Sequence, residues 1–480
     1  MRSLYSASRR RFVQAMLAAP TFAALPLRGF AQAAPPFAPA DLAHAAALRD
    51  QALRSNLAFN LMASLVSEVG PRAAGSAGDA KAVQWALARL GQLGFSNVRA
   101  EPVSLLAWQR GATAARIVSP AARDLIATGL GNTVGTPEGG IEAEIAYYPD
   151  YAALLGDQTQ RARGRIVFID QKLERVRDTS SYGNAILGRV RGAIEAARRG
   201  ALAVAIRSLG TDTDRIAHTG SMRYDPAVAK VPAIAVSTTD ADWIRERAAR
   251  GEQLRLRILM APAAHVPALS NNVIGELPGT DLAGEIVLIG AHLDSWDIAP
   301  GAQDDAAGVG IAIAAAKSIV EGGRKPRRTI RVVLFANEEN GFDGAKAYAA
   351  KYKDVAHQLI GESDLGAGRI WRMRSMVNVA ALPAVAAMAQ VLQPLGIAQE
   401  GNDASPEPDA SVLMETNNWP ALELSQDATK YFDIHHTVND TVDRVDPATM
   451  PQNAAAWSAM LWLAAQKEGG FGPITLASGS

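Results

Sequence analysis

The sequence has 480 residues, nearly half of them apolar, and its 48 basic residues balance its 48 acidic residues. A chain of this length exceeds one ordinary domain, and its apolar content suffices for a large core. Zero net charge, with no basic block beyond the N-terminus, leaves no electrostatic footprint for nucleic-acid binding. The absence of cysteine excludes disulfides, thiolate metal ligands and a cysteine nucleophile.

Residues 1–33 are typical of an export signal. Three consecutive arginines directly precede Phe12 and an apolar segment that extends to Leu27, and Ala31-Gln32-Ala33 follows as a small-x-small cleavage pattern. This arrangement indicates a signal peptide and not a membrane span. The paired arginines resemble a twin-arginine signal, with an ordinary Sec signal as the alternative. We therefore expect a periplasmic or secreted protein without a membrane span.

Residues 35–109 and residues 110–264 differ in the secondary structure that their patterns predict. Within 35–109, leucines at near-helical spacing predict a helix over 42–69, and a second helix is predicted over 80–93 with Asp79 as its N-cap. A strand is predicted over 98–108. From 110 to 264, short strand-like runs alternate with Gly and Pro turns, which predicts an inserted β-rich domain with few helices.

Strand–helix alternation begins near Asn271 and continues to the end of the chain. Strands are predicted over 285–291, 329–336, 357–362 and 421–425, and helices over 305–320, 342–352, 381–393 and 447–467. This alternation predicts an α/β fold with a twisted, mostly parallel central sheet flanked by helices. Ligands bind at the carboxyl ends of the strands in such sheets.

Acidic and histidine side chains follow the predicted strands at these ends. They are His292, Asp294, Asp297, Asp304, Asp305, Glu338, Glu339, Asp364, His435 and His436. Taken singly, the acids are more typical of a solvated loop, and the adjacent histidines are equally typical of a satisfied core or surface pair. Taken together, imidazole and carboxylate ligands without thiolates favour zinc, with cobalt or manganese as alternatives. Two metal ions would require one bridging carboxylate.

The ordered motifs His-x-Asp, Asp-Asp, Glu-Glu, Glu-Ser-Asp and His-Thr-x-x-Asp-Thr resemble the co-catalytic dizinc aminopeptidase and exopeptidase family. Segments 290–297, 392–397 and 230–234 are similar to its carboxypeptidase Q branch, and 164–169 resembles a strand of a protease-associated domain. The resemblance extends over nearly all of the chain after residue 34. It implies the zinc exopeptidase fold, with a protease-associated domain over 110–264 and a catalytic domain over 265–475.

The resemblance also implies a ligand set for two Zn²⁺ ions per chain. His292, Asp304 and Asp364 would hold one ion. Asp304, Glu339 and His436 would hold the other, with Asp304 as the bridge. His436 is chosen over its neighbour because it directly precedes the Thr-x-x-Asp-Thr motif.

Further roles are implied around these ligands. Glu338 would be the general base, and Asp294 would orient the imidazole of His292. Asp440 is expected to do the same for His436, and a cis peptide bond is expected after Asp304. His435, Asp297 and Asp305 receive no role.

The implied activity is hydrolysis of dipeptides or short peptides with free termini, by an enzyme that covers its cleft with the insert and forms homodimers. The alternatives are a general aminopeptidase for longer peptides, a non-catalytic receptor-like protein, and an acyl-transfer enzyme with one zinc. Substrate contacts are expected in 407–411 and around Trp296 and Tyr431. Asp409 would pair with a substrate ammonium, unless it is a solvated loop acid.

Overall fold

The computed structural model describes residues 35–476, so the predicted signal peptide lies outside the described residues. Within this range no helix combines the length and the apolar character that crossing a bilayer requires.

The described chain begins with helices and a long strand. These are α1 (Pro39–Ala52), α2 (Leu57–Glu68), α3 (Ala77–Gln92) and β1 (Ser96–Gln109). The single helix predicted over 42–69 is wrong, because the chain breaks between α1 and α2, where the Ser55 hydroxyl accepts a hydrogen bond from Leu57 N at 3.2 Å. The N-cap of α3 is Ser76, which accepts from Asp79 N at 3.1 Å, so the predicted cap lies three residues too late.

A separate eight-stranded sheet follows in the chain, between β1 and β10. Its elements are β2 (Thr113–Ser119), β3 (Arg123–Leu125), β4 (Ala127–Gly129), β5 (Ile141–Tyr148), α4 (Tyr151–Leu155), β6 (Ile166–Ile169), α5 (Ser180–Arg198), β7 (Ala203–Arg207), β8 (Ala233–Val236), α6 (Thr238–Ala249) and β9 (Arg255–Met260). The strand order is β3-β2-β9-β5-β6-β7-β8-β4. We call this segment the insert; its assignment to a protease-associated domain stays a prediction.

The central sheet has the order β1-β10-β12-β11-β13-β16-β14-β15. Its remaining elements are β10 (Ala264–Leu277), β11 (Leu282–His292), α7 (Ala307–Glu321), β12 (Arg328–Phe335), α8 (Asp343–Lys351), β13 (His357–Glu362), β14 (Ile370–Met376), α9 (Leu382–Leu392), β15 (Ala398–Gln399), α10 (Pro408–Asn417), β16 (Ala421–Gln426) and α11 (Met450–Gln466). Strands β12, β11, β13 and β16 are parallel, whereas β10 and β14 join this core antiparallel. The predicted α/β sheet is confirmed, with its parallel part at the centre.

Helices cover both faces of this sheet. On β11, Val287 and Ile289 point into a core shared with α2, α7 and α11, whereas Ile286 and Leu288 point into a core shared with α8 and α10. Alternation of this kind is what a strand buried on both faces requires. Each buried aliphatic side chain contributes about 1.5–3 kcal/mol. The two cores therefore fix the strands whose carboxyl ends carry the acidic and histidine residues.

Candidate metal centre

The candidate ligands meet at the carboxyl edge of the central sheet. His292 is the last residue of β11, and Glu339 and Asp364 follow β12 and β13 closely. Asp304 lies in the turn Ala302–Ala306 that leads into α7, and its backbone there is not helical (φ −124°, ψ 88°). The peptide bond after Asp304 is cis, as the resemblance implies. His436 arrives from the loop before α11, with a left-handed backbone (φ 61°).

Asp304 lies between two groups of ligand atoms. Its Oδ1 is 3.0 Å from Nε2 of His292, which is also 3.3 Å from Oδ1 of Asp364. Its Oδ2 is 3.1 Å from Nε2 of His436, which is also 3.1 Å from Oε2 of Glu339. We call His292, Asp304 Oδ1 and Asp364 the first half of the centre, and His436, Asp304 Oδ2 and Glu339 the second half.

These donors fit divalent cations. All five residues are buried, yet Glu339 Oε1 has no hydrogen-bond partner among the described residues. Burial raises the pKa of Glu339, and the neighbouring charge of Asp304 raises it further. Burial also raises the pKa of Asp364. Buried carboxylates without compensating charge are costly, and bound cations would remove this cost.

Support for the first half comes from β11 and the residues directly after it. Nδ1 of His292 lies 3.1 Å from the carbonyl oxygen of Asp294 and 3.7 Å from its Oδ1. The same carboxylate oxygen accepts a hydrogen bond from Glu338 N at 3.1 Å. Asp294 therefore contacts both His292, a candidate ligand, and the backbone of the candidate base, and its orienting role stays a prediction.

Support for the second half comes from the insert. Nδ1 of His436 lies 3.3 Å from the carbonyl oxygen of Thr219, and Thr219 N donates to the carbonyl of His436 at 2.9 Å. The preceding His218 donates from Nδ1 to the carbonyl of His435 at 2.7 Å, and its Nε2 lies 2.7 Å from Asp212 Oδ2. Asp212, His218 and Thr219 lie between β7 and β8 of the insert. The insert therefore binds the loop that carries His436, a candidate ligand.

The expectation that Asp440 orients His436 is wrong. The carboxylate of Asp440 instead accepts hydrogen bonds from Gln303 N at 2.7 Å and Asp304 N at 3.1 Å. Asp440 therefore fixes the backbone of Asp304, the candidate bridge. The imidazole of His436 contacts the carbonyl of Thr219 instead. Burial raises the pKa of Asp440 to about 7.

Two residues without a predicted role lie inside the centre. Asp305 uses both carboxylate oxygens on backbone amides, those of His292 (3.2 Å) and Gly308 (3.0 Å), so it orders the turn into α7. His435 stacks on His436 with 3.5 Å between ring centroids, and its Nε2 is 3.7 Å from Asp304 Oδ2. Burial lowers the pKa of His435 well below its ordinary value, and the neighbouring histidine lowers it further.

Asp297 lies outside the centre, in a surface ion pair. Its Oδ1 is 2.8 Å from Nη2 of Arg110, whose Nη1 donates to Thr219 Oγ1 at 3.2 Å. The guanidinium lies beside the rings of Trp108 (4.8 Å) and Trp296 (5.5 Å). Asp297 therefore holds Arg110 beside Thr219, the residue of the insert that contacts His436 in the second half.

A cavity of about 430 Å³ opens onto both halves. It is lined by Glu338, by Tyr431 and by Glu407 from the segment 407–411. Asp409 is fully buried outside the cavity lining, so it does not reach a substrate ammonium in this structure. Trp296 is also outside the lining and contacts the ring of His436 edge-on at 5.5 Å.

The remaining cavity wall was not anticipated from the sequence. From the insert come Asp178, Thr179, Tyr182, Ile186, Arg189, Val190, Ser221 and Arg223, and from β14 and β16 come Arg372, Arg374, Glu423, Ser425 and Gln426. None of them follows a strand-end motif. The alternation of Arg372 and Arg374 in β14, a strand that was not predicted, was the one available signal.

Glu338 lines this cavity with a half-buried side chain. Burial raises its pKa well above the ordinary value, and the charges of Asp364 and Glu339 raise it further. A carboxylate with a raised pKa beside a group of ligands is suited to accept and deliver a proton near neutral pH.

Comparisons of the sequence and of the structure with known proteins point to the same peptidase family. Residues 272–461 match the Peptidase family M28. The chain is 32% identical over 426 residues to carboxypeptidase Q from Bos taurus and 33% identical over 420 residues to carboxypeptidase Q from Homo sapiens, with 86% of both chains covered in each case. The crystal structure of a peptidase M28 precursor from Shewanella amazonensis SB2B matches with a TM-score of 0.88 and 42% identity, over 91% of this chain and 99% of that one. BSAP, a zinc aminopeptidase from Bacillus subtilis, shares the fold (TM-score 0.60, 17% identity, 87% of this chain and 97% of that one).

Proposed function

This chain belongs to peptidase family M28, and from that premise we propose that it is a dizinc exopeptidase that hydrolyses dipeptides or short peptides with free termini. The observation that carries this proposal is the pair of three-residue halves that share Asp304, with one carboxylate oxygen in each half. Such a bridge is the arrangement that a two-metal hydrolytic site requires.

The proposed ligands are His292, Asp304 and Asp364 for one zinc ion, and Asp304, Glu339 and His436 for the other. Bound zinc would act as a Lewis acid and bring the pKa of a coordinated water close to neutrality. Zinc is supported by the mixed imidazole and carboxylate donors and by the zinc aminopeptidase of the same fold.

The chain's own residues supply proton transfer and orientation. Glu338 takes a proton from the attacking water and delivers it to the leaving amine nitrogen. Its half-buried carboxylate lines the cavity beside Asp364 and Glu339, which places it to hold that proton between the two steps. Asp294 fixes the backbone amide of Glu338 at 3.1 Å, which limits the directions in which the carboxylate can point.

The cavity supports a short substrate. Its volume of about 430 Å³ is at the lower end of ordinary ligand pockets, and the insert forms one of its walls. A wall that the insert forms beside the metal centre favours exopeptidase action over cleavage within a long chain. The relatives carry the name carboxypeptidase Q, and a carboxypeptidase is an exopeptidase, which supports this proposal.

Cleavage of a dipeptide panel, blocked at the N-terminus, at the C-terminus or at neither, tests the proposal when products are identified by mass spectrometry. We expect hydrolysis of the unblocked dipeptides, complete loss on chelation and recovery on adding zinc. Hydrolysis that persists in a chelator would contradict the metal site. Rapid N-terminal trimming of longer peptides would favour the general aminopeptidase, and a purified protein that binds no zinc and hydrolyses no peptide would favour the receptor-like alternative.

Three further features remain proposals. Residues 1–33 would direct export, by the twin-arginine route, to the periplasm or the medium. The insert would be a protease-associated domain, and the enzyme would form homodimers. Sequencing the N-terminus of the exported protein and measuring its mass in solution test the first and last of these.

A further inference from the structure

Arg72 is a fully buried cation in the connection between α2 and α3. Its Nε donates to the carbonyl oxygen of Leu293 at 2.6 Å, and its Nη2 donates to that of Gly301 at 3.1 Å. Its Nη1 donates to the carbonyl oxygen of Pro300. The hydrogen bonds of one guanidinium therefore reach both ends of the segment 293–301, which joins the two candidate ligands of the first half.

Asp294 lies between two of the contacts that Arg72 makes. The carbonyl of the residue before Asp294 accepts from the guanidinium, and Oγ of Ser295 after it accepts from Arg72 N at 3.2 Å. The position of Asp294 matters to the metal centre, because its carbonyl oxygen lies 3.1 Å from Nδ1 of His292. Its Oδ1 also accepts from Glu338 N at 3.1 Å. Arg72 therefore holds the residue that contacts a candidate ligand and the candidate base.

The connection that carries Arg72 is itself tied to the central sheet. Gly75 N, three residues further along, donates to Asp79 Oδ2 at 2.8 Å. Ser270 on β10 donates from Oγ to Asp79 Oδ1 at 2.9 Å. The guanidinium thus reaches the segment 293–301 from a fixed base, and that base lies outside the insert.

The chemistry of arginine suits this position. Burial lowers the pKa of Arg72, and the charges of Asp294 and Asp440 oppose that shift. A guanidinium is weakly hydrated, stays charged when it is buried and presents its donors in a rigid planar fork. A lysine ammonium is a compact point charge and could not reach three separate carbonyl oxygens in this way. The contacts therefore require the fork and not merely a positive charge.

We propose that Arg72 is a positioning residue of the metal centre, which fixes Asp294 and through it orients the imidazole of His292 and the backbone of Glu338. This inference rests on the proposed two-metal function. It assigns the support of the first half to a residue that lies outside every ligand motif of the chain.

The effect of Arg72 is confined to the first half, because the second half has contacts of its own. The carboxylate of Asp440 accepts from Asp304 N at 3.1 Å, and the carbonyl of Thr219 lies 3.3 Å from Nδ1 of His436. Neither contact involves the segment 293–301. Loosening that segment should therefore weaken one zinc ion and leave the other in place.

The test measures zinc affinity of Arg72→Lys by competition with a chelator, in the absence of substrate. One ion should be bound about 10- to 100-fold more weakly than in the original protein, and the other should be unchanged. At saturating zinc, kcat for a dipeptide should also fall by about 10- to 100-fold while KM stays close to the original value. The matched control is Arg54→Lys, an exposed arginine between α1 and α2, which should change none of these values.

The double variant Arg72→Lys, His218→Gln identifies which ion is affected. Two weakened ions support the proposal, because the two residues then act on different halves. One ion weakened twice beside an unchanged ion overturns it. Unchanged zinc affinities in Arg72→Lys, beside a lower unfolding temperature, overturn it as well, since they would reveal a purely structural role.

If Arg72→Lys does not fold, Ser295→Ala takes its place, since it removes only the acceptor of Arg72 N. One ion should then be weakened by about 2- to 10-fold, and unchanged affinities for both ions would overturn the proposal. Because zinc binding is measured without substrate, these results are separate from the proposed hydrolysis. An original protein that binds two zinc ions and cleaves no peptide contradicts the exopeptidase, while the zinc affinities of the variants still decide the role of Arg72.

Discussion

The two halves of the metal centre are supported by different parts of the chain. In the first half, Nδ1 of His292 faces the carbonyl of Asp294, two residues further along the chain. In the second half, Nδ1 of His436 faces the carbonyl of Thr219 in the insert, 217 residues away. The histidine of the first half is therefore supported locally, at the end of its own strand. The second half depends on the docking of the insert, which also forms a wall of the cavity.

This difference suggests how the cavity and the metal centre are coupled. His218 and Thr219 bind the backbone carbonyls of His435 and His436, so a shift of the insert would displace that ligand loop. The same insert also contributes residues to the lining of the cavity. We expect the second half to be sensitive to changes in the insert, and the first half to be insensitive to them.

The largest effect is expected from Asp304→Ala, because this residue contributes one oxygen to each half. Both zinc ions should be lost together, and kcat/KM for a dipeptide should fall by at least about 1,000-fold. Metal analysis of the purified variant and steady-state kinetics check this. Retention of a full complement of zinc would show that Asp304 is not the bridge.

Glu338→Gln should keep both zinc ions, since Glu338 is not among the ligand atoms of either half. Removing a general base typically costs about 100- to 10,000-fold, and the loss should appear in kcat. Equal zinc content in variant and parent is the control. A kcat within about tenfold of the parent would refute the role of base.

His218→Gln should separate the two halves. Losing its contacts to His435 and Asp212 loosens the ligand loop, so zinc affinity of the second half should fall by about 10- to 100-fold, as is common for residues that support ligands. Competition with a chelator should then show one weakened and one unchanged ion, with activity recovered at high zinc.

The matched change on the other side is Asp294→Asn. Because the nearest acceptor for His292 is a backbone carbonyl, which the substitution keeps, zinc affinity of the first half should change by less than about tenfold. The comparison with His218→Gln decides between the alternatives. If His218→Gln lowered the zinc affinity of both halves equally, the separate support of the two halves would be contradicted.

The smallest effect is expected from Asp297→Asn. Its ion pair with Arg110 is partly exposed, and pairs of this kind contribute about 0–1 kcal/mol to the free energy of unfolding. Zinc content and kcat/KM should stay at the parent values, as measured beside a thermal unfolding curve. A loss of activity comparable with that of His218→Gln would show that Asp297 does more than brace the insert.

The sequence predicted the elements whose signals are local. The apolar runs before His292 and after Arg328 predicted β11 and β12 closely, because strands buried on both faces are continuous in apolar residues. The acids and histidines at strand ends predicted a shared site, and the structure brings them together. Their roles as ligands stay predictions.

Contacts between distant residues could not be predicted in this way. The carbonyl of Thr219 carries no side-chain signal, so its contact with His436 is invisible in a local pattern. Asp440 follows the motif of the family, yet its carboxylate binds backbone amides that only the folded turn presents. β14 was missed because Met373 is the one apolar residue between Arg372 and Ser375, which is too short an alternation to predict a strand, and the partner Glu423 lies on β16.

The most direct test of the two-metal centre is a titration of the metal-free protein with zinc, in which dipeptide hydrolysis and zinc bound per chain are followed together. The two halves around Asp304 predict that full activity requires two zinc ions per chain. Full activity at one ion per chain, or hydrolysis before any zinc is added, would contradict this account.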